Sequence, residues 1–199
     1  MTYSLLRFGH LVGLALISAG LIGVFLSDLR SRRVRDLSLF GEAIRSIAVF
    51  YDGLVVPGAV LLLLSGAAMT WLAWGGWNFV NLPWLVGMVV LFALEFVEGN
   101  TITRLYFMRL RRLTRDALDK GQVTPDLDRA RREHLPTFTH FLDLPLLLVI
   151  VSLGTLRPTT WTHFAVGTTL ALVAATTLSL ILPRLYPWTP PTPGSSRPL

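Results

Sequence analysis

From Gly53 to Leu94 the chain runs for 42 residues without an Asp, Glu, Lys or Arg. A soluble fold cannot solvate such a tract, whereas a bilayer can. As one helix the tract would be ~63 Å long, about twice the hydrocarbon thickness, so it folds back on itself. The break is placed at Trp74-Gly75-Gly76-Trp77-Asn78, a glycine turn edged by tryptophan. Asn81 and Pro83 then read as the cap and first turn of the following helix.

The tract supplies parts of two spans, and three further apolar runs bring the number to five. The first extends from about Ser4 to Leu26 and the second from about Arg45 to Trp71. The third extends from Pro83 to about Arg104, the fourth from Pro136 to Leu156, and the fifth from Trp161 to about Leu182. The Leu11–Ser27 core of span one is longer than a signal-peptide core, and no small-residue cleavage motif follows it. The third helix is expected to continue into water through Arg115 and stop near Gly121, with Thr124-Pro125-Asp126 opening a short new helix. The expected fold is therefore all-α, a polytopic transmembrane bundle of five spans, with a four-helix core plus one. Residues 1–186 form the bundle, with a cytoplasmic loop over 105–135. Residues 187–199 hold five of the twelve prolines and read as a disordered cytoplasmic tail.

Charge fixes the expected orientation. Sixteen of the eighteen Lys and Arg residues fall in the two connections and the tail assigned to one side, and only Arg7 and Arg157 fall on the other. By the positive-inside rule the basic side faces the cytoplasm of a bacterial inner membrane, with the N-terminus outside and the C-terminus inside. Trp71, Trp74, Trp77, Trp84 and Trp161 then form an aromatic belt at the outer interface. The net charge of +6 consequently reads as topology and not as a nucleic-acid surface. The lipid bilayer is the expected partner, with other membrane subunits or a second copy of the chain left open. With no Cys, thiolate metal sites and covalent haem are excluded.

Ionisable residues inside a span are functional candidates. Counting from the basic ends, Asp52, Glu95, Glu98, His140 and Asp143 share one slab in the cytoplasmic half of spans two, three and four. Glu95 with Glu98, and His140 with Asp143, are spaced i,i+3 and so lie on one face of their helices. Tyr51 and Asn100 are near enough in sequence to join them. Carboxylates and a histidine from several helices suit a divalent metal ion, and equally a proton or cation route. They suit pairing with Arg45, Arg104 and Arg109 as well. Pro57 and Pro145 each free a carbonyl one turn back, at Gly53 and Phe141, that an ion could use. Toward the other side, His10 and His163 lie at similar shallow depth, as two axial ligands of a haem b would. Gly9, Gly13, Gly20 and Gly23 form a small-residue stripe beside His10 that admits either a close helix or a flat cofactor.

The stretch Leu6–Gly23, with His10 followed by Gly20, resembles the opening of a broad group of small bacterial membrane bundles. These include CopD-type copper-resistance proteins, HemJ-type protoporphyrinogen oxidases and an uncharacterised family of predicted integral membrane proteins. The last is the nearest, and the ending Leu153-Gly154-Thr155-Leu156-Arg157-Pro158 is similar to it as well. The resemblance implies a bundle of four or five helices and, for some members, haem or copper handling, with His10 as the first-helix histidine. Three functions stay open: a haem or metal protein for redox or metal handling, a proton- or cation-coupled transporter using the acidic cluster, and a non-catalytic subunit of a larger complex. For the orientation, a reporter fused after Leu199 is expected to be active only in its cytoplasmic form. Activity of a periplasmic reporter at that position would mean that the spans are miscounted.

Overall fold

In lipid a segment must satisfy its own backbone N–H and C=O groups, and for an apolar run of this length that means helix. The computed structural model describes residues 1–192 and is helical through all five runs. In chain order the helices are α1 Thr2–Arg33, α2 Leu37–Phe50, α3 Val56–Ala73, α4 Pro83–Glu98, α5 Arg104–Lys120, α6 Pro125–Arg131, α7 His134–Leu156 and α8 Thr162–Leu185. A π-turn at Tyr51–Val55 joins α2 to α3, and a second at Gly99–Thr103 joins α4 to α5. Leu37–Ala73 and Pro83–Lys120 are thus two continuous rods. With α1, α7 and α8 they make five helices long and apolar enough to cross a membrane. The chain is an all-α polytopic bundle.

The helices end where the sequence supplies stops. Gly75 and Gly76 adopt positive φ, 69° and 61°, and turn the long apolar tract back. Gly121, at φ 65°, closes α5. Thr124 caps α6 through its hydroxyl, which accepts the Leu127 N–H. At the basic end the helices run further than hydropathy marks. α1 continues to Arg33, and α2 begins at Leu37 once Asp36 accepts the N–H groups of Ser38 and Leu39. Arginine is a good helix former, so charge ends the apolar run without ending the helix.

Helix α1 lies against α3, and α7 packs against both α4 and α8. The glycine stripe on α1 is filled by helix and not by an open slot. A Cβ on Gly13 would meet the Gly58 carbonyl oxygen of α3 at 3.0 Å, and one on Gly58 would meet the Ile17 backbone nitrogen at 2.7 Å. Further along, Gly20 faces Val55 and Gly23 faces the Phe50 ring. At the tryptophan-rich end, the Arg157 guanidinium sits over the rings of Trp74 and Trp84, 5.5 and 5.4 Å from their centroids.

The expectation of a disordered tail is corrected for residues 187–192. The Trp188 ring packs on Phe40 at 5.2 Å, and its Nε1–H donates to Asp128 Oδ1 at 2.8 Å. The Asp128 carboxyl is held below its usual range by the Arg132 guanidinium first and by Trp188 as well. Thr192 then pairs with the Val34–Asp36 break, its N–H donating to Arg35 O and its carbonyl accepting from Leu37 N–H. Proline content misreads this segment because one half-buried indole and two backbone bonds anchor it. The rest of the tail, 193–199, lies outside the described residues.

Because the α1–α3 contact is backbone against backbone, Gly58→Leu is expected to cost about 1–3 kcal/mol, the usual range for overpacking. Gly53→Ala is the matched control, since a Cβ there meets nothing within 4 Å. Denaturation of both variants in detergent measures the difference, and equal midpoints would refute the close contact.

Candidate functional site

The two π-turns lie opposite each other and are tied by one bond: the Tyr51 hydroxyl donates to the Gly99 carbonyl at 2.8 Å. Pro57 has no N–H for the Gly53 carbonyl, which eases the first wide turn. At the second, Asn100 Nδ2 donates to Phe96 O and the Thr101 hydroxyl to Val97 O, so side chains occupy the carbonyls of the preceding turn. π-turns inside long helices recur at functional sites.

Beside them, Glu95 and Glu98 of α4 and Asp143 of α7 supply three carboxyls. Asp143 is only 4% exposed. Glu98 Oε1 accepts from the Thr103 hydroxyl at 2.7 Å. Glu95 Oε1 and Asp143 Oδ2 are buried without a hydrogen-bond partner. Glu95, Asp143, Tyr51 and Asn100 border a cavity of about 30 Å³, whose other walls include Ile17, Phe92 and Phe96. That volume holds one or two water molecules. With its own proton on Glu98, the Thr103 hydroxyl accepts from Thr139 of α7 at 3.1 Å, and the Thr139 hydroxyl has Pro136 O, at 3.3 Å, as its alternative acceptor. A file of hydroxyls therefore runs from Glu98 to the start of α7.

His140 is fully buried, with its ring among Phe25, Phe107 and Phe141. Its Nδ1 is 4.0 Å from Asp143 Oδ2, too far for a hydrogen bond, and both ring nitrogens are unpartnered.

Asp52 does not belong to this group. Its side chain is 51% exposed and pairs with Arg104, whose Nη2 is 3.1 Å away. Counting residues from Arg45 gives its depth but not its direction, and the π-turn that begins at Tyr51 changes the direction. Among the described residues no three His, Asp or Glu side chains are placed to hold a metal ion. His10 and His163 are likewise used between helices. His10 Nδ1 is 3.0 Å from Ser65 Oγ of α3, and His163 Nε2 is 3.0 Å from Ser152 Oγ of α7. Among the described residues no hydrogen bond joins the two imidazoles.

A second buried polar system lies outside the expected site residues. Asp28, completely buried on α1, accepts from Arg32 Nε at 2.8 Å and from Arg131 Nη1 at 3.0 Å. Arg131 reaches it from α6, donates also to Ser31 Oγ, and lies over the rings of Trp188 and Phe40. The hydropathy reading stops span one at Leu26 and so assigns Asp28 to water. Asp28 lies just one turn beyond a run of glycines and leucines, with Arg32 four residues on, and that i,i+4 spacing is the signal that marks it.

A family model described as predicted integral membrane protein (DUF2269) matches residues 4–158. The chain belongs to this DUF2269 family. The matched stretch contains α7 and all three carboxyls, and it ends before α8, so His163 lies outside it. No curated protein and no solved structure matches the chain. These matches do not show a relation to CopD-type or HemJ-type proteins.

Removing one side of a buried ion pair leaves a bare charge and typically costs about 3–5 kcal/mol. Asp28→Asn is therefore expected to destabilise the DUF2269 protein in detergent far more than Asp126→Asn, whose carboxylate is exposed. Similar unfolding midpoints for the two variants would contradict the buried pair.

Proposed function

We propose that this chain is a proton-handling membrane protein in which Glu95, Glu98 and Asp143 take up and relay a proton. The observation that carries the reading is that Glu95 Oε1 and Asp143 Oδ2, both buried without a hydrogen-bond partner, border one small cavity, and among the described residues neither carboxyl pairs with an arginine. Two buried carboxyls beside one cavity and away from arginine are costly to ionise together, and a shared proton is the least costly compensation. Glu98, one turn along α4 from Glu95, is the natural next acceptor. The Thr103–Thr139 hydroxyls extend from Glu98 toward the basic end. The arginine asymmetry supports placing that end in the cytoplasm of a bacterial inner membrane. The Asp52–Arg104 pair stays outside the relay.

The reading favours proton coupling over a haem or a metal because His10 and His163 bond serines and, among the described residues, no three His, Asp or Glu side chains are placed to hold a metal ion. Apolar carbodiimides modify protonated carboxyls that face lipid or buried cavities. Labelling of Glu95 or Asp143, mapped by mass spectrometry, is expected at neutral pH and should fall as pH rises. In proteoliposomes carrying a pH-sensitive dye, Glu95→Gln is expected to slow proton movement roughly a hundredfold, as loss of a proton-transfer group does. Asp126→Asn should leave it unchanged. No labelling, together with equal rates for wild type and Glu95→Gln, would make the cluster helix glue and the chain a structural subunit.

A further inference from the structure

Helix α5 is the continuation of a membrane span, and its two faces differ sharply. Tyr106, Phe107, Leu110, Thr114 and Ala117 are buried against the bundle. On the opposite face a groove is lined by Leu105, Met108, Arg109, Arg111, Arg112 and Arg115, and no carboxylate lines it. Leu105 and Met108 are 55% and 54% exposed. Arg109 is held by Glu133. Among the described residues Arg111, Arg112 and Arg115 have no ion-pair partner.

Position decides what such a surface meets. Measured along the rod from Pro83, Leu105 lies ~33 Å and Arg112 ~44 Å away. The hydrocarbon core is about 30 Å thick, and the whole bilayer with headgroups is about 40–45 Å thick. With Pro83 at the outer headgroup surface, the acyl region ends roughly 37 Å along the rod, so Leu105 and Met108 stand at its edge and Arg111 and Arg112 at headgroup level. Helical side chains lean toward the N-terminus, which turns these guanidiniums back toward the membrane. The occupant must offer an apolar part to Leu105 and Met108 and an anionic oxygen cluster to the arginines, in that order along the helix.

We propose that the outer face of α5 is a binding site for an anionic phospholipid, with acyl chains against Leu105 and Met108 and the phosphate held by Arg111, Arg112 and Arg115. Arginine suits the task because its planar fork donates two parallel hydrogen bonds to a phosphate. The site is independent of the carboxyl relay, from which it is separated by the buried face of α5.

The full chain in nanodiscs of phosphatidylcholine doped with phosphatidylglycerol tests the proposal, with retained lipid counted by native mass spectrometry. Wild type is expected to retain phosphatidylglycerol preferentially and to lose it with rising salt. Arg112→Gln should weaken retention about fivefold, and the Arg111→Gln, Arg112→Gln, Arg115→Gln triple variant by more than the single change. Arg129→Gln, an exposed arginine outside the groove, should not change it. Millimolar inorganic phosphate should not displace the lipid, since it lacks the acyl contact. Equal retention of the neutral and anionic lipids by wild type, displacement by phosphate alone, or undiminished retention by Arg112→Gln would each overturn the site. The wild-type comparison decides the matter even if the triple variant does not fold.

Discussion

The close approach of α1 to α3 at Gly13 and Gly58 sets the rest of the geometry. In a bilayer, helices gain little by hiding apolar surface from one another, so association rests on packing and on a few polar bonds. Here the two backbones come near enough that a single methyl group on Gly58 would strike a backbone nitrogen. That contact continues to Gly20, which receives Val55, the last residue of the first π-turn. Tyr51, at the start of the same turn, is thereby aimed at Gly99. Gly99 in turn begins the second π-turn, next to Glu98. A stripe of small residues on one helix thus fixes, through three successive contacts, where the carboxyls of another come to lie.

Buried charge is handled in two ways along the bundle. Near the basic end, Asp28 is surrounded by Arg32 and Arg131, and the cost of removing them from water is offset by short hydrogen bonds and by aromatic rings over Arg131. Deeper in the bundle, Asp143, Glu98 and Glu95 have hydroxyls and a small cavity, and among the described residues no arginine pairs with them. The first arrangement is fixed, because an arginine does not give up its proton. In the proton-handling reading the second is open to exchange. Tail residues Trp188 and Thr192 belong to the fixed part, since they cover Arg131 and tie the break between α1 and α2.

How much of the fold is legible in the sequence depends on the property that each pattern encodes. Hydropathy reports immersion in lipid, and the five spans, the Gly75–Gly76 turn and the Gly121 stop appear where that signal and the turn residues place them. Depth counting brings Glu95, Glu98, Asp143 and His140 to one level, because a regular rise per residue is all it needs. Direction around the helix is not encoded in the same way. Asp52 shares the level yet points to Arg104, since a π-turn inserts an extra residue and rotates the helix beyond it. His10 and His163, expected at one depth, bond different serines, Ser65 and Ser152, because order around the bundle is a tertiary property. For Asp28 the i,i+4 spacing to Arg32 is legible, whereas its second partner, Arg131, is distant in sequence and no periodicity links the two. The glycine stripe is legible as a close contact or a slot, and only the fold decides between them.

His140 lies between the two polar systems. Asp143 Oδ2 is 4.0 Å from its Nδ1, and its neighbour Phe141 carries the Arg32 guanidinium over the ring, 5.9 Å from the centroid. The His140 ring is packed by three phenylalanines and makes no hydrogen bond. An imidazole that bonded both sides would join them, and a proton arriving at the carboxyls would then reach the Asp28 ion pair that fastens α6 to α1. The aromatic packing prevents this by holding the ring beyond hydrogen-bond distance of Asp143. In the proton-handling reading, the relay can therefore load and unload through Thr103 and Thr139 without loosening the ion pair that holds the basic end together.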